Sequence, residues 1–238
     1  MIDIHAHILP GIDDGPTQFD DALQMARIAV EDGIRVMIAT PHCLNGRYLN
    51  WRSEILKACE LFNKALQRHA ISLTVLPGSE VHLCPELINK LQEGLIMTLN
   101  DDGRYICLEL PDQIMNRAVV GLINRLRKME LTPIISHPER NPAIQHNVAW
   151  LSDFVAAGAL AQITAGSLTG AFGRAASRCC RSILDADLAH FMASDAHSAE
   201  RRTPRLREGY EKLSSYGGKG RAERILSEAP QAILDGHI

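Results

Sequence analysis

The chain has 238 residues, 46% of them hydrophobic and 22% charged, with a formal net charge of −3. That profile fits one globular domain over residues 1–238 rather than a disordered or membrane-embedded chain. It excludes a general attraction to nucleic acid, and no apolar stretch approaches the ~20 residues of a membrane span.

The N-terminus, Met1-Ile2-Asp3-Ile4-His5, lacks the basic-then-apolar pattern of a secretory signal, so a cytoplasmic location is expected. Short apolar runs at 2–5, 35–40, 73–77, 105–110, 133–136, 161–164 and 190–193 read as seven strands. Between them lie amphipathic segments near 17–32, 51–69, 85–93, 115–129, 147–157, 174–186, 199–213 and 219–228. In the first, Thr17 and Asp20 make an approximate capping box, Ala22, Leu23, Ala26 and Val30 form the apolar face, and Gly33 ends it. Regular alternation to the end of the chain predicts an α/β fold with a mainly parallel sheet, closed or nearly closed into a barrel.

Residues able to bind metal fall at the ends of these strands, which a barrel gathers on one face. The first strand ends in Asp3-Ile4-His5-Ala6-His7, whose two histidines point to the same side of an extended chain. The loop 10–15 adds Asp13 and Asp14, although Asp-Asp-Gly alone is more often a turn. His42, Glu80, Glu109, His137, Asp195 and His197 follow at later strand ends. Singly each is an ordinary cap, turn or core residue. Recurrence at six of seven strand ends makes coincidence a poor explanation. His69, His82, His146, His190 and His237 lie outside the pattern and read as structural or surface residues.

Mixed imidazole and carboxylate ligation suits zinc, manganese, iron or cobalt, and so many ligands suit two or three ions acting on phosphate esters. Arg140 and Arg202 lie close to candidate ligands and supply the paired donors that hold a phosphoryl group, the alternative being solvated surface arginines. The six cysteines are scattered, and none has the arginine six positions later that a thiolate phosphatase needs.

These residues resemble the polymerase-and-histidinol-phosphatase (PHP) superfamily, and more closely its bacterial capsular-polysaccharide-type protein-tyrosine phosphatases. The resemblance runs over residues 1–15, 39–42 with Asn45, Gly46 and Tyr48, 78–80, 137–140, 162–167 with Phe172 and Gly173, and 194–197 with Arg202 and Pro204. It implies a distorted seven-stranded (β/α)7 TIM-like barrel and a trinuclear centre. His5, His7, Glu80 and Asp195 would hold one ion; Glu80 would bridge to a second held by Glu109 and His137; Asp14, His42 and His197 would hold a third. Asp13 is an alternative to Asp14 as ligand, and Asp14 has a competing role as proton donor to the leaving tyrosinate. Arg140 and Arg202 would bind the phosphoryl group while water activated by the metals attacks phosphorus in line. The implied metal is manganese, with iron, zinc or cobalt as other occupants. The implied substrate is the phosphotyrosine tail of a bacterial tyrosine kinase that controls capsular or other extracellular polysaccharide. Arg47 and Tyr48 would form the rim of its cleft, or an ordinary exposed loop. Cys43 stands where a second histidine is expected in many relatives.

Three rival readings keep some of these residues. A histidinol-phosphate phosphatase would enclose the same metals in a small, deep pocket. A nuclease or polymerase-associated module would need a basic, aromatic-interleaved groove, which the composition does not suggest. A non-catalytic metal-binding regulator would dock on a kinase or polymerase without turnover.

Overall fold

Two of the expected strands, 35–40 and 73–77, end near a proline, and after each the chain forms a further short strand in a second sheet. The computed structural model describes residues 1–113 and 116–236. Its strands are β1 (Ile2–Ala6), β2 (Val36–Ala39), β3 (His42–Cys43), β4 (Thr74–Pro77), β5 (Glu80–His82), β6 (Tyr105–Glu109), β7 (Thr132–Ser136), β8 (Leu160–Thr164) and β9 (Phe191–Ala193). One sheet has the order β1-β2-β4 and the other β3-β5-β6-β7-β8-β9, so the described residues hold nine strands in two sheets in place of seven in one. Every pairing between them is parallel. The physical reason for the breaks is punctuation. Pro41 and Pro77 have no N–H to give a ladder, and Gly78 sits so close to β2 that a Cβ there would lie 2.6 Å from Ile38 Cγ2.

The two sheets meet beside the site. Asp195 N–H donates to His5 O at 2.9 Å, His7 N–H to Ala196 O at 2.8 Å and Thr40 N–H to Ala6 O at 2.9 Å. These bonds tie the C-terminal ends of β1, β2 and β9 together. Beneath them Ile4, Ile38, Cys107, Ile134 and Phe191, drawn from both sheets, form one apolar cluster. A larger cluster lies among the strands and helices. Each fully buried Ile or Phe adds roughly 1.5–3 kcal/mol, so the platform under the site is stiff.

The helices follow the expected segments with informative exceptions. The first is Phe19–Asp32, capped by Gln18 without a side-chain bond, so Thr17 does not cap it; Gly33 ends it at φ 97° as expected. The helix expected from 199 begins only at Arg207. Pro204 disfavours helix at the residue before it, and Asp32 Oδ2 accepts from the N–H groups of Leu206 (2.6 Å) and Arg207 (2.9 Å), which fixes the later start. Pro142–His146 and Ala165–Thr169 are short helices capped by Asn141 and Thr164 side chains. The segment expected at 115–129 is helical over Asn116–Lys128; Met115 and His237 lie outside the described residues.

Candidate metal centre

Parallel strands point their C-terminal ends the same way, and those ends carry the polar residues. His5 lies on β1 and His7 just beyond it; His42 follows the end of β2 and opens β3, Glu80 follows the end of β4 and opens β5, and Glu109 closes β6. His137 follows β7, and Asp195 and His197 follow β9. The backbone is left-handed at His137 (φ 32°) and Asp195 (φ 52°), a conformation that is uncommon for residues other than glycine and that clusters at functional sites.

The nine expected ligands come together. His7, Asp14, His42 and His197 offer atoms that all lie within 4.8 Å of one another, as do His5, His7 and Glu80, and His42, Glu80 and Glu109. His137 Nε2 is 2.7 Å from Glu80 Oε1, and Asp195 Oδ1 is 3.4 Å from His5 Nε2 and 3.5 Å from His7 Nε2. Glu80 Oε2, Asp195 Oδ1 and His42 Nδ1 are buried without a hydrogen-bond partner. Leaving such atoms unpaired is costly, and a cation among them removes the cost. The residues therefore fit a metal cluster.

Other side chains set the tautomers. Gln162 Oε1 accepts from His5 Nδ1 at 2.8 Å, and Asp13 Oδ2 accepts from His7 Nδ1 at 2.6 Å, which turns both Nε2 atoms toward the centre. Asp13 is buried and also accepts from Gly15 N–H at 2.9 Å and His42 N–H at 3.2 Å. Asp14 is the other kind of residue: its side chain is 43% exposed and its Oδ1 lies 3.3 Å from His197 Nε2 and 3.5 Å from His42 Nε2. Gly15 permits this loop, since a Cβ there would lie 2.4 Å from His7 O. Gly15→Ala is expected to displace the loop, lowering stability by about 1–3 kcal/mol and weakening metal uptake; thermal melting with and without metal checks both.

The electrostatics favour charged forms on both sides. Burial opposes the charge on His7, but Asp13 and Glu80 outweigh it and push its pKa up to about 9; His5 is raised as well, its burial outweighed by Glu80, Cys107 and Asp195. The hydrogen bond with His197 holds the Asp14 carboxyl well below the usual carboxylate range, with His42 and His7 adding to it. A raised folded-state pKa means that protonated His7 stabilises the metal-free protein fully below its ordinary 6.5 and loses that contribution as pH rises through about 9. Metal must displace those protons. Metal uptake is therefore expected to release protons at pH 7 and to tighten up to about pH 9. Calorimetric titration of metal in buffers of different ionisation enthalpy reads the proton count directly, and a count of zero would contradict this assignment.

Arg140 and Arg202 converge on the same atom, Asp195 Oδ2, from opposite parts of the chain. Both guanidiniums lie over Phe172, with Cζ 4.7 Å (Arg140) and 5.6 Å (Arg202) from its ring centroid. Gly166 makes room for that ring, because a Cβ there would meet Phe172 Cε2 at 2.7 Å. A cavity of about 140 Å³ adjoins Arg140, Glu109 and His137, and one of about 340 Å³ adjoins Arg202 and Phe172. Tyr48 lies parallel to the His42 ring at 6.2 Å, and the Arg47 guanidinium covers its ring at 5.0 Å. The cysteines are free thiols, and burial pushes Cys43, Cys59 and Cys179 up to about 12, which disfavours a thiolate nucleophile.

Sequence reasoning missed His82, Gln162 and Glu139. His82 Nδ1 lies 3.1 Å from Glu109 Oε2, across the β5–β6 register. Its position two residues after Glu80 in a strand was a usable signal. Glu139 is fully buried and accepts from Thr164 N–H (2.9 Å) and Oγ1 (2.8 Å), anchoring the Arg140 turn to β8. Nothing in the local sequence marks that contact.

Known proteins resemble this chain in sequence and fold. The family described as "Capsular polysaccharide synthesis, CpsB/CapC" matches residues 1–235. The tyrosine-protein phosphatase YwqE of Bacillus subtilis (strain 168) is 41% identical over 234 residues, covering 98% of this chain and 91% of its own. The tyrosine-protein phosphatase CpsB of Streptococcus pneumoniae is 25% identical, with 98% of each chain covered. A solved structure from work on YwqE of B. subtilis and CpsB of S. pneumoniae, described as metal-dependent tyrosine phosphatases, superposes with a TM-score of 0.95 at 38% identity, covering 100% of this chain and 96% of that one. The lactonase Lmo2620 of Listeria monocytogenes, at 8% identity and a TM-score of 0.56 over 96% of this chain and 92% of its own, shares the fold alone. With a family match over nearly its whole length and a relative above 40% identity, the chain belongs to the CpsB/CapC capsular polysaccharide synthesis family.

Proposed function

We propose that this chain is a metal-dependent protein-tyrosine phosphatase acting on a bacterial tyrosine kinase that governs capsular or other extracellular polysaccharide. The observation that carries the reading is the division of Asp195. Its Oδ1 faces three histidines, at 3.4 Å from His5, 3.5 Å from His7 and 3.6 Å from His197, while its Oδ2 receives both Arg140 and Arg202. Metal-binding side chains and a two-arginine anion clamp thus share one carboxylate, an arrangement suited to hydrolysis of a phosphate monoester. The names of the relatives point to the same substrate class.

In this reading His5, His7, Glu80 and Asp195 would hold one ion, Glu80 with Glu109 and His137 a second, and Asp14, His42 and His197 a third. Manganese is the proposed metal, with iron, zinc or cobalt able to use the same ligands. When bound, such ions polarise the phosphoryl oxygens and lower the pKa of water. Arg140 and Arg202 bind the phosphoryl oxygens, and Phe172 keeps their planes in place. Gln162 and Asp13 hold protons on the Nδ1 atoms of His5 and His7, leaving each Nε2 a lone pair for metal. Asp14 is assigned to metal binding because its Oδ1 lies among ring nitrogens, 3.3 Å from His197 Nε2 and 3.5 Å from His42 Nε2. The half-exposed Asp14 and the Arg47–Tyr48 rim suit a polypeptide better than a metabolite in a closed pocket.

The nine strands read as seven staves of a distorted (β/α)7 barrel in one domain, β2 with β3 and β4 with β5 each making one stave. The Ala6–Ala196 bridge supports closure. Among the described residues no helix is long and apolar enough to cross a membrane, and the free thiols suit a reducing cytoplasm.

The test is an assay of protein stripped and reloaded with manganese on a phosphotyrosine peptide, a phosphoserine peptide and histidinol phosphate. Preference for phosphotyrosine is expected. Preference for histidinol phosphate would keep the metal chemistry and replace the substrate; no turnover with any metal would favour a non-catalytic regulator.

A further inference from the structure

The helix Gly173–Asp185 carries Arg174, Arg178 and Arg181, exposed and spaced to share one face. Arg181 donates to Ser177 O and Oγ, and among the described residues none of the three pairs with a carboxylate. The helix's own carboxylate, Asp185, lies at the far end and accepts from Tyr216 Oη. A cavity of about 330 Å³ is lined by Gly170, Gly173, Arg174, Ser177, Arg178 and Arg181, with no acidic residue on its wall.

This arrangement works against the helix that bears it. Like charges four residues apart repel, and the helix dipole prefers acids in the first turn and bases in the last. Here Arg174 occupies the first turn and Asp185 the last. In a chain of net charge −3, three clustered arginines without a carboxylate partner make a local positive surface that attracts anions.

Position says which anion. Gly173 directly follows Phe172, the ring beneath Arg140 and Arg202, and the helix packs on the Pro138–Arg140 turn. Arg174 and Arg181 are separated by roughly 10 Å along the helix axis, a span of about three residues of extended chain. We propose that Arg174, Arg178 and Arg181 form a docking strip for anionic side chains lying a few residues from the phosphotyrosine of the polypeptide substrate. The proposal rests on the tyrosine-phosphatase reading. The anion is a carboxylate or a second phosphate, which share the bidentate chemistry that guanidinium recognises.

The test compares metal-loaded wild type with Arg174→Gln/Arg178→Gln/Arg181→Gln and with the corresponding triple Glu variant. Substrates are p-nitrophenyl phosphate and one phosphotyrosine peptide carrying neutral, Asp/Glu or phosphoserine flanks. Three exposed ion pairs of modest strength give an expected KM ~10-fold lower for an anionic-flank peptide than for the neutral one at low salt. The carboxylate and phosphoserine arms show which source serves. The gap is expected to vanish in the Gln variant, to reverse in the Glu variant, and to vanish in wild type at about 0.5 M salt, where screening acts within ~4 Å. Turnover of p-nitrophenyl phosphate and kcat on the neutral peptide should not change. Equal KM values for all peptides in wild type, or a gap that survives in both variants, would overturn the strip. So would loss of p-nitrophenyl phosphate turnover in both variants, since the arginines would then support the fold of the site. Sedimentation with phosphatidylglycerol vesicles, lost in the variants while the peptide gap is absent, would assign the strip to a lipid surface instead. If wild type hydrolyses no phosphotyrosine at all, the enzymatic reading fails separately, and anisotropy of a labelled acidic peptide still reads the strip.

Discussion

Asp195→Asn is expected to remove activity by a factor on the order of 10³ or more and to disorder the site it leaves behind. The carboxylate is buried, and its ionised form is strongly favoured: burial works against the charge, but His5, Arg140 and Arg202 prevail and hold the pKa far below the usual range. Asparagine keeps the shape and removes the charge. Its amide also puts a donor either toward the two guanidiniums, which need an acceptor, or toward the metal-binding side, where a lone pair is needed. Losing several kcal/mol of transition-state stabilisation corresponds to that loss in rate, at 1.36 kcal/mol per factor of ten. Metal content measured by inductively coupled plasma spectrometry should fall with activity. Unchanged metal content and activity would remove Asp195 from the centre and with it the observation on which the functional reading rests.

The candidate ligands could be grouped from sequence because a two-residue period puts His5 and His7 on one side of a strand, and because strand ends in a parallel sheet gather on one face. The break of two strands was legible only in part. Pro41 follows β2 and Pro77 ends β4, but local sequence does not say that the chain resumes beyond them in another sheet, with His42 beside Glu80. The partners of the ligands were harder still. Gln162 reaches His5 from 157 residues away, and Glu139 meets Thr164 through a register that no local pattern encodes. Asp13 and Asp14 could not be separated by spacing, since they are adjacent. What separates them is direction: one carboxylate is buried against His7 Nδ1, the other faces His42 and His197 from the rim.

Arg140→Ala should cost about 10²–10³-fold in kcat/KM toward a phosphotyrosine substrate, the usual loss when one preorganised donor to a developing anion is removed. Arg140 does more than carry charge. It is held by Asp195 and by the face of Phe172, so its fork is oriented before substrate arrives. Arg140→Lys is therefore expected to recover little, because an ammonium keeps the charge and loses the paired donors. Metal content should stay near wild type in both variants, which distinguishes this arginine from a ligand. The partition between constants tells what the clamp does. A rise in KM with kcat preserved would mean that Arg140 binds substrate and transition state equally; equal falls in kcat and kcat/KM would mean that it acts on charge present only in the transition state. The second outcome is expected. The guanidiniums already sit on a carboxylate in this structure, so a ground-state phosphate must compete with Asp195 for them, and their paired donors gain full advantage only when the transferring phosphoryl group spreads its charge over its equatorial oxygens in the transition state.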